Sequence, residues 1–211
     1  MTKKKWIIIT VLCSVVLIGG AMAGPIMSDL ERPKYNVISL AENIEIRLYN
    51  PKLIAEVEVR GKRKDAIGDG FRLLADYIFG NNTAQIDIAM TAPVQQQASE
   101  KIAMTAPVQQ QASGDAWSVS FVMPAEYTKE TLAKPNDQRV LIKEVPAQKY
   151  IAIHFSGTNS NENIAEHESK LMRYIKANQI QVRGSPIYAF YNPPWTLPFL
   201  RRNEVMIEIN E

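Results

Sequence analysis

The chain has 211 residues, of which 46% are hydrophobic and 22% are charged, and its formal net charge is +2 at pH 7. This composition is typical of a globular protein, and the length allows one domain or two fused halves. The only charges before Asp29 are three lysines, and without them 21 basic residues stand against 22 acidic ones. This balance argues against nucleic acid as the main partner, because phosphate binding needs a concentrated basic surface.

The N-terminus carries a targeting signal. Three lysines, Lys3 to Lys5, precede an apolar run from Trp6 to Ile18, and small residues follow up to Ala23. This order is typical of a secretory signal peptide that is cleaved after Ala23. The alternative is a retained membrane anchor, because residues 6–28 carry no charge and are long enough to cross a bilayer. In both cases we expect an exported protein, which is periplasmic or secreted after cleavage and otherwise anchored on the non-cytoplasmic side.

The chain is therefore divided into a signal peptide or anchor (1–23), a linker (24–34) and one folded domain (35–211). Cys13 is the only cysteine and lies in the apolar run. The folded domain is consequently predicted to contain no disulfide and no thiol chemistry.

The domain begins with strands and then a helix. Apolar and polar residues alternate in Ile44–Tyr49 and again in 53–59, which predicts two half-buried strands. After Gly61 the apolar residues fall at helical spacing, which predicts an amphipathic helix from about Lys64 to Phe79.

One string of twelve residues, I-A-M-T-A-P-V-Q-Q-Q-A-S, then occurs twice, at 88–99 and at 102–113. Both copies alternate as strands do, and Pro93 and Pro107 cannot donate a ladder hydrogen bond. Each copy is therefore predicted to be a short strand that ends at its proline. A tolerated local duplication and a functional doubling are both open interpretations.

The second half repeats the order of the first. A polar connection at 125–137 joins the halves, and Ser160 or Asn161 is predicted to cap a second helix that ends before Asn178. Further strands are predicted at 117–123, 139–145, 149–155, 186–192 and 203–210. Two such units can join their sheets edge to edge with both helices on one face, leaving a cleft at the pseudo-symmetric seam.

Five ordered motifs support a family resemblance. They are Ile44-Glu45-Ile46-Arg47-x-Tyr49, Gly70-Phe71 followed by Tyr77-Ile78-x-Gly80-x-Asn82, Met90-Thr91-Ala92-Pro93-Val94, Trp117-x-Val119-x-Phe121-x-Met123-Pro124, and Pro193-Pro194-Trp195-Thr196 with Arg201-Arg202-Asn203-Glu204-Val205. Over about 32–208 the chain resembles the SOUL haem-binding protein family.

The resemblance implies an α+β fold and a ligand. The fold is two pseudo-symmetric βαββ units in a distorted barrel-like antiparallel sheet with two helices packed on it, like the effector-binding domains of bacterial regulators. The ligand is haem or another small hydrophobic tetrapyrrole, and no catalysis is implied. Members proposed to ligate haem iron through histidine carry it between Arg47 and Tyr49, where this chain has Leu48. Leu48 can pack against a porphyrin edge but cannot hold its iron.

Only two histidines are available as metal ligands. His154 alternates with apolar neighbours and so faces away from them, which favours a structural or surface role. His167 lies near the apolar stripe of the second helix, and the H-E-x-x-H zinc motif that it begins fails at Leu171. Both are weak candidates.

The candidate tetrapyrrole contacts include thioethers, cations and aromatic rings. Met90 and Met104 can ligate haem iron, although core packing is the commoner role of methionine. Lys62 and Lys64, at the crowded basic start of the first helix, can pair with propionates or remain solvated. The full set is Leu48, Tyr49, Lys62, Lys64, Met90, Met104, Trp195, Phe199, Arg201 and Arg202.

The loop at 193–200 offers an apolar wall beside two cations. Trp195 and Phe199 lie on a proline-stiffened segment, and Arg201 and Arg202 follow at once. This combination suits an amphipathic dicarboxylate, although a loop that latches onto the core would use the same aromatic residues.

An enzyme is not expected. The sequence contains no G-x-S-x-G elbow and no phosphate-binding glycine loop, and its histidines are too few for a triad or zinc site. The leading hypothesis is an exported domain that binds a tetrapyrrole non-covalently in an apolar cleft. The alternative is an envelope interaction or structural module of the same fold that does not bind haem.

Overall fold

The structure is a computed structural model that describes residues 30–85 and 99–210. The predictions for the signal peptide or anchor, for most of the first repeated string and for Met90 lie outside the described residues. Within the two described ranges, no helix is long and apolar enough to cross a membrane.

The described residues form eleven strands, two α-helices and one short 3₁₀-helix. The strands are β1 (Tyr35–Ala41), β2 (Ile44–Tyr49), β3 (Lys52–Arg60), β4 (Asn82–Thr83), β5 (Val108–Ser113), β6 (Ala116–Val122), β7 (Lys134–Pro135), β8 (Leu141–Val145), β9 (Gln148–Phe155), β10 (Val182–Phe190) and β11 (Asn203–Ile209). The helices are α1 (Arg63–Ile78), α2 (Asn161–Ala177) and the 3₁₀-helix Pro198–Leu200.

Nine strands form one antiparallel sheet in the order β1-β2-β9-β11-β10-β5-β6-β3-β8. The order β9-β11-β10 on one side of the β10–β5 contact mirrors β3-β6-β5 on the other, and each half contains one helix. The predicted α+β fold of two pseudo-symmetric βαββ units is therefore confirmed. Among the described strands the edges β1 and β8 do not pair with each other, so the sheet stays open and does not close into a barrel.

Both helices pack on one face of the sheet. The apolar side of α1 contacts β3 and β6, while α2 contacts β9 and β11. The Ser160 side chain accepts a hydrogen bond from the Asn163 N–H at 3.3 Å, which confirms the predicted cap of α2. Two apolar cores result, one under each helix, with Leu74 and Val119 fully buried in the first and Leu171 and Val205 in the second.

A groove of about 320 Å³ crosses the β10–β5 seam on the helix-free face. A cleft therefore lies at the seam, where one was predicted. The prediction that this cleft is apolar is wrong. The reason is strand alternation, which turns the apolar residues of β5 and β6 toward the helices and leaves polar ones on this face. They are Gln109, Gln111, Ser118 and Ser120.

The second repeated string is not a strand that ends at its proline, and this prediction is wrong. β5 begins at Val108, immediately after Pro107, because proline has no N–H with which to start the ladder. The preceding residues are fixed individually: the Ile102 N–H donates to the Ile78 carbonyl and the Ala106 N–H to the Glu31 carbonyl, both at 2.9 Å. Ile102 is 2% exposed, so this copy is part of the first core.

Candidate functional site

One end of the large sheet carries an open pocket of about 440 Å³, which we call the His154 pocket. It forms because β9 ends where β11 begins: Phe155 pairs with Asn203, and His154 pairs with Glu204. The pocket brings together three side chains that the sequence offered separately, His154, Arg201 and Arg202. Its walls are Tyr35, Glu45, His154, Phe155, Ser156, Arg201 and Arg202.

His154 is half-buried in this pocket. Its backbone N–H and carbonyl both bond to Asn43, at 3.1 Å and 2.9 Å. No hydrogen bond joins the ring to another residue in the ranges 30–85 and 99–210, so a neutral imidazole has a nitrogen lone pair to offer.

His167 is engaged and lies outside the pocket. Its Nδ1 lies 2.8 Å from the Asn163 carbonyl oxygen, which can only accept, so Nδ1 donates. The ring also stacks on Phe155, with 4.0 Å between centroids and an interplanar angle of 9°. Both contacts indicate that His167 packs α2 against the end of β9.

The two arginines of the pocket differ in charge balance. Arg201 donates from Nε to the Thr196 carbonyl at 2.6 Å and from Nη2 to the Pro194 carbonyl, and no carboxylate among the described residues pairs with it. Arg202 donates from Nε and Nη2 to Glu204 Oε1, at 2.9 Å and 2.6 Å. Only Arg201 therefore keeps an uncompensated positive charge for an incoming anion.

The loop at 193–200 lies directly next to the pocket and presents its aromatic rings to solvent. Trp195 is 61% exposed and Phe199 is 70% exposed, whereas Thr196 is buried. The loop is held through its backbone: the Gly157 N–H donates to the Pro198 carbonyl at 2.8 Å, and Arg201 bonds the carbonyls described above. The rings are thus not the latch that fastens this loop. They are exposed apolar surface next to the pocket in the chain, but neither ring lines the pocket itself.

The basic start of α1 lies on the far side of the segment 156–161. Arg63 donates to the Asn159 carbonyl at 2.7 Å and to Asn161 Oδ1 at 2.9 Å. Lys62 and Lys64 on either side of it are exposed and do not line the His154 pocket. They can extend a binding surface but do not form it.

Three further predicted contacts lie elsewhere. Leu48 alternates with Arg47 in β2 and so faces the side of the sheet opposite to His154. Tyr49 is 1% exposed and belongs to a buried polar network. Met104 packs against the first core, which agrees with the core interpretation of this residue.

That network centres on a fully buried ion pair that the sequence did not reveal. Arg47 donates from Nη1 and Nη2 to the two carboxylate oxygens of Glu204, at 2.8 Å and 3.0 Å. Its Nε donates to Glu45 at 2.6 Å, and the Tyr191 hydroxyl donates to Glu204 at 2.7 Å. Alternation in β2 predicts that Arg47 and Ile46 face opposite sides of the sheet. It does not predict that the side of Arg47 is also buried.

The network is charge-balanced. Burial alone would raise the pKa of the Glu204 carboxyl, but hydrogen bonds and charges from Arg47 and Arg202 hold it below its ordinary value. Burial would lower the pKa of Arg47, and the bond to Glu204 outweighs this and raises it. Two guanidinium groups thus face the carboxylates of Glu204 and Glu45, so the charges of this network balance one another within the fold.

The site can therefore bind a flat, amphipathic anion. The pocket offers an imidazole and a guanidinium that no carboxylate of the described residues pairs with, and the adjoining loop adds two exposed aromatic rings outside the pocket. In the described part of the chain, no group of three or more His, Cys, Asp or Glu side chains is placed to hold a metal ion without further ligands.

Comparisons with solved structures identify the fold. The C-terminal domain of EcmrR is similar with a TM-score of 0.58 at 9% identity, covering 84% of this chain and 98% of that one. EcmrR in its complex with DNA gives 0.52 at 10% identity, covering 80% and 57%. A Listeria innocua protein described as a hydrolase gives 0.52 at 9% identity, covering 82% and 94%. At these identities the likeness concerns the fold alone.

Comparisons of sequence identify the family. No curated protein sequence matches the chain significantly. The family model described as SOUL heme-binding protein matches residues 30–208, which is most of the chain and contains the five motifs. The chain belongs to the SOUL haem-binding protein family.

Proposed function

We propose that this chain is an exported, non-enzymatic protein that binds haem or a related tetrapyrrole non-covalently at the His154 pocket. Family membership supports the ligand class. The observation that carries the site is the joining of His154, Arg201 and Arg202 in one pocket beside an exposed aromatic loop. Export rests on the N-terminal lysines and apolar run.

Each part of the pocket has a separate task in this proposal. Trp195 and Phe199 pack against the porphyrin plane, which removes apolar surface of both partners from water. Arg201 pairs with a propionate, since it has no carboxylate of its own among the described residues. His154 supplies an imidazole for the iron in place of the family histidine that Leu48 replaces.

A haemin titration of the full chain, followed by Soret absorbance, tests this proposal. We expect saturable binding in the wild type and a shifted, broader Soret band in His154→Ala, because the axial nitrogen is lost. His167→Ala is the matched control and should leave the band unchanged. Metal-free protoporphyrin IX should bind the wild type and His154→Ala equally, since it needs no axial ligand.

Two results would contradict the proposal. A Soret band that changes on His167→Ala and not on His154→Ala would move the iron to α2. An absence of binding by either porphyrin would favour an envelope module of the same fold without a tetrapyrrole.

A further inference from the structure

A third cavity, of about 570 Å³, lies beside the start of β3 and the end of β8 and shares no lining residue with the His154 pocket. Residues 31–34 form one wall and are fixed at both ends: the Asn50 N–H donates to the Lys34 carbonyl at 3.0 Å, and the Glu31 carboxylate accepts from the Ala125 N–H at 2.9 Å. We call it the proline cleft, after Pro33, Pro51, Pro124 and Pro146, which line it.

The interior of the proline cleft is apolar. Leu53 and Met123 are part of its lining, and Met123 is 4% exposed. The volume falls in the range of small-molecule sites, which are roughly 300–1,000 Å³. Neither histidine of the chain lines it, so the cleft offers haem iron no imidazole.

One cation, Lys52, is half-buried between this cleft and the groove at the β10–β5 seam, and it lines both. Lys52, at the start of β3, holds its Nζ 4.6 Å from the Tyr49 ring centroid and 5.8 Å from that of Tyr150. No carboxylate among the residues described here lies within salt-bridge distance of it, and burial lowers the pKa of Lys52 to about 8. Arg32, Lys34 and Lys129 also line the cleft, but all three are exposed at its rim.

A desolvated lysine with no counter-ion is costly unless a ligand supplies the opposite charge. The carboxylates that line the cleft do not pair with Lys52: Glu31 accepts a hydrogen bond from the Ala125 N–H, and both Glu31 and Glu144 are exposed to solvent. One buried cation balances one negative charge, which favours a monocarboxylate over a phosphate or a dicarboxylate.

We propose that the proline cleft is a second binding site, which takes an amphipathic monocarboxylate such as a fatty acid, with its carboxylate at Lys52 Nζ and its apolar chain along Leu53, Met123 and the prolines. This site is independent of the His154 pocket, because the two share no lining residue.

Calorimetric titration of the full chain with octanoate tests the proposal. The wild type should bind octanoate at least about tenfold more tightly than octanol, because only the carboxylate forms a charge-assisted bond. Lys52→Met keeps an apolar stem over the Tyr49 and Tyr150 rings and removes the charge. We expect it to lose about tenfold or more in octanoate affinity while octanol binding stays unchanged.

Lys129→Met is the matched control, since it removes the same charge from the rim of the same cleft. It should retain octanoate binding within about twofold, and haemin affinity should be equal in Lys52→Met and the wild type. The proposal is overturned if the wild type does not bind octanoate, if Lys52→Met binds it normally, or if Lys129→Met loses as much. A loss of haemin affinity in Lys52→Met would also overturn it, because the cleft would then be the tetrapyrrole site.

Discussion

At the scale of single residues, the buried Arg47–Glu204 pair is the feature that sequence reasoning missed. Alternation in β2 separates Arg47 from Ile46 but does not report what covers each face of the sheet. Tyr49, Tyr150 and Tyr191 cover the second face and enclose the ion pair. Arg201 and Arg202 were predicted as contacts because they follow an aromatic loop directly in the sequence. The place of His154 beside them was not predicted, because it depends on the register of β9 with β11.

Removing one partner of this pair should destabilise the domain strongly. Glu204→Gln leaves Arg47 buried without its bidentate carboxylate, and we expect a loss of about 3–5 kcal/mol in the free energy of unfolding. The control is Glu208→Gln in the same strand, whose partner Arg183 is 3.9 Å away and largely exposed. That variant should change stability by about 0.5 kcal/mol or less. Denaturant titration measures both, and equal losses in the two variants would show that the buried pair contributes nothing special.

The same pair gives a pH dependence with a defined sign. The folded pKa of the Glu204 carboxyl lies below its ordinary value of 4.5, so its contribution is complete above that value and is lost as the pH falls through the folded pKa. Stability of the wild type should therefore decline on acidification below about pH 4.5 more steeply than that of Glu204→Gln. A parallel decline in both proteins would contradict this assignment.

At the scale of elements, period and capping predicted the helices to within one or two residues, because both have clear apolar stripes. β10 begins at Val182, four residues before the predicted 186. Gly184 and Pro186 suggested a break, and the strand accommodates them through a register shift between Arg183 and Ile187. The start of β5 was predicted wrongly because the alternation of apolar and polar residues continues through Pro107. The ladder of backbone hydrogen bonds cannot do so, because proline has no N–H.

The contact of α1 with β6 depends on Gly70. A Cβ there would lie 2.6 Å from Val119 Cβ, so the helix and the strand would have to separate. We expect Gly70→Ala to destabilise the domain by about 1–3 kcal/mol, although alanine favours helix more than glycine does. Gly68→Ala, two residues earlier, meets only Arg72 Nη1 at 4.0 Å and should stabilise by about 0.5–1 kcal/mol. Thermal or denaturant unfolding measures both changes in stability. A change of the same sign in both variants would contradict this account of the packing.

At the scale of the whole molecule, the two-unit architecture was predictable because each half repeats one order of elements. The proline cleft was not, since its walls come from segments near residues 33, 51, 124 and 146 that no local pattern connects. The same open sheet therefore carries two cavities away from the predicted seam, the His154 pocket at the end of β9 and the proline cleft beside β3 and β8.

The central claim is that the tetrapyrrole binds at the His154 pocket. It is tested most directly by amide chemical-shift mapping of the full chain with zinc protoporphyrin IX. This porphyrin is diamagnetic, so the shift changes report contact with the ligand and contain no paramagnetic contribution. The account predicts that the largest shifts fall at 154–156 and 194–202, with little change at 31–34 and 122–129. Shifts centred on those last two segments, which line the proline cleft, or no shifts at a saturating concentration, would contradict it.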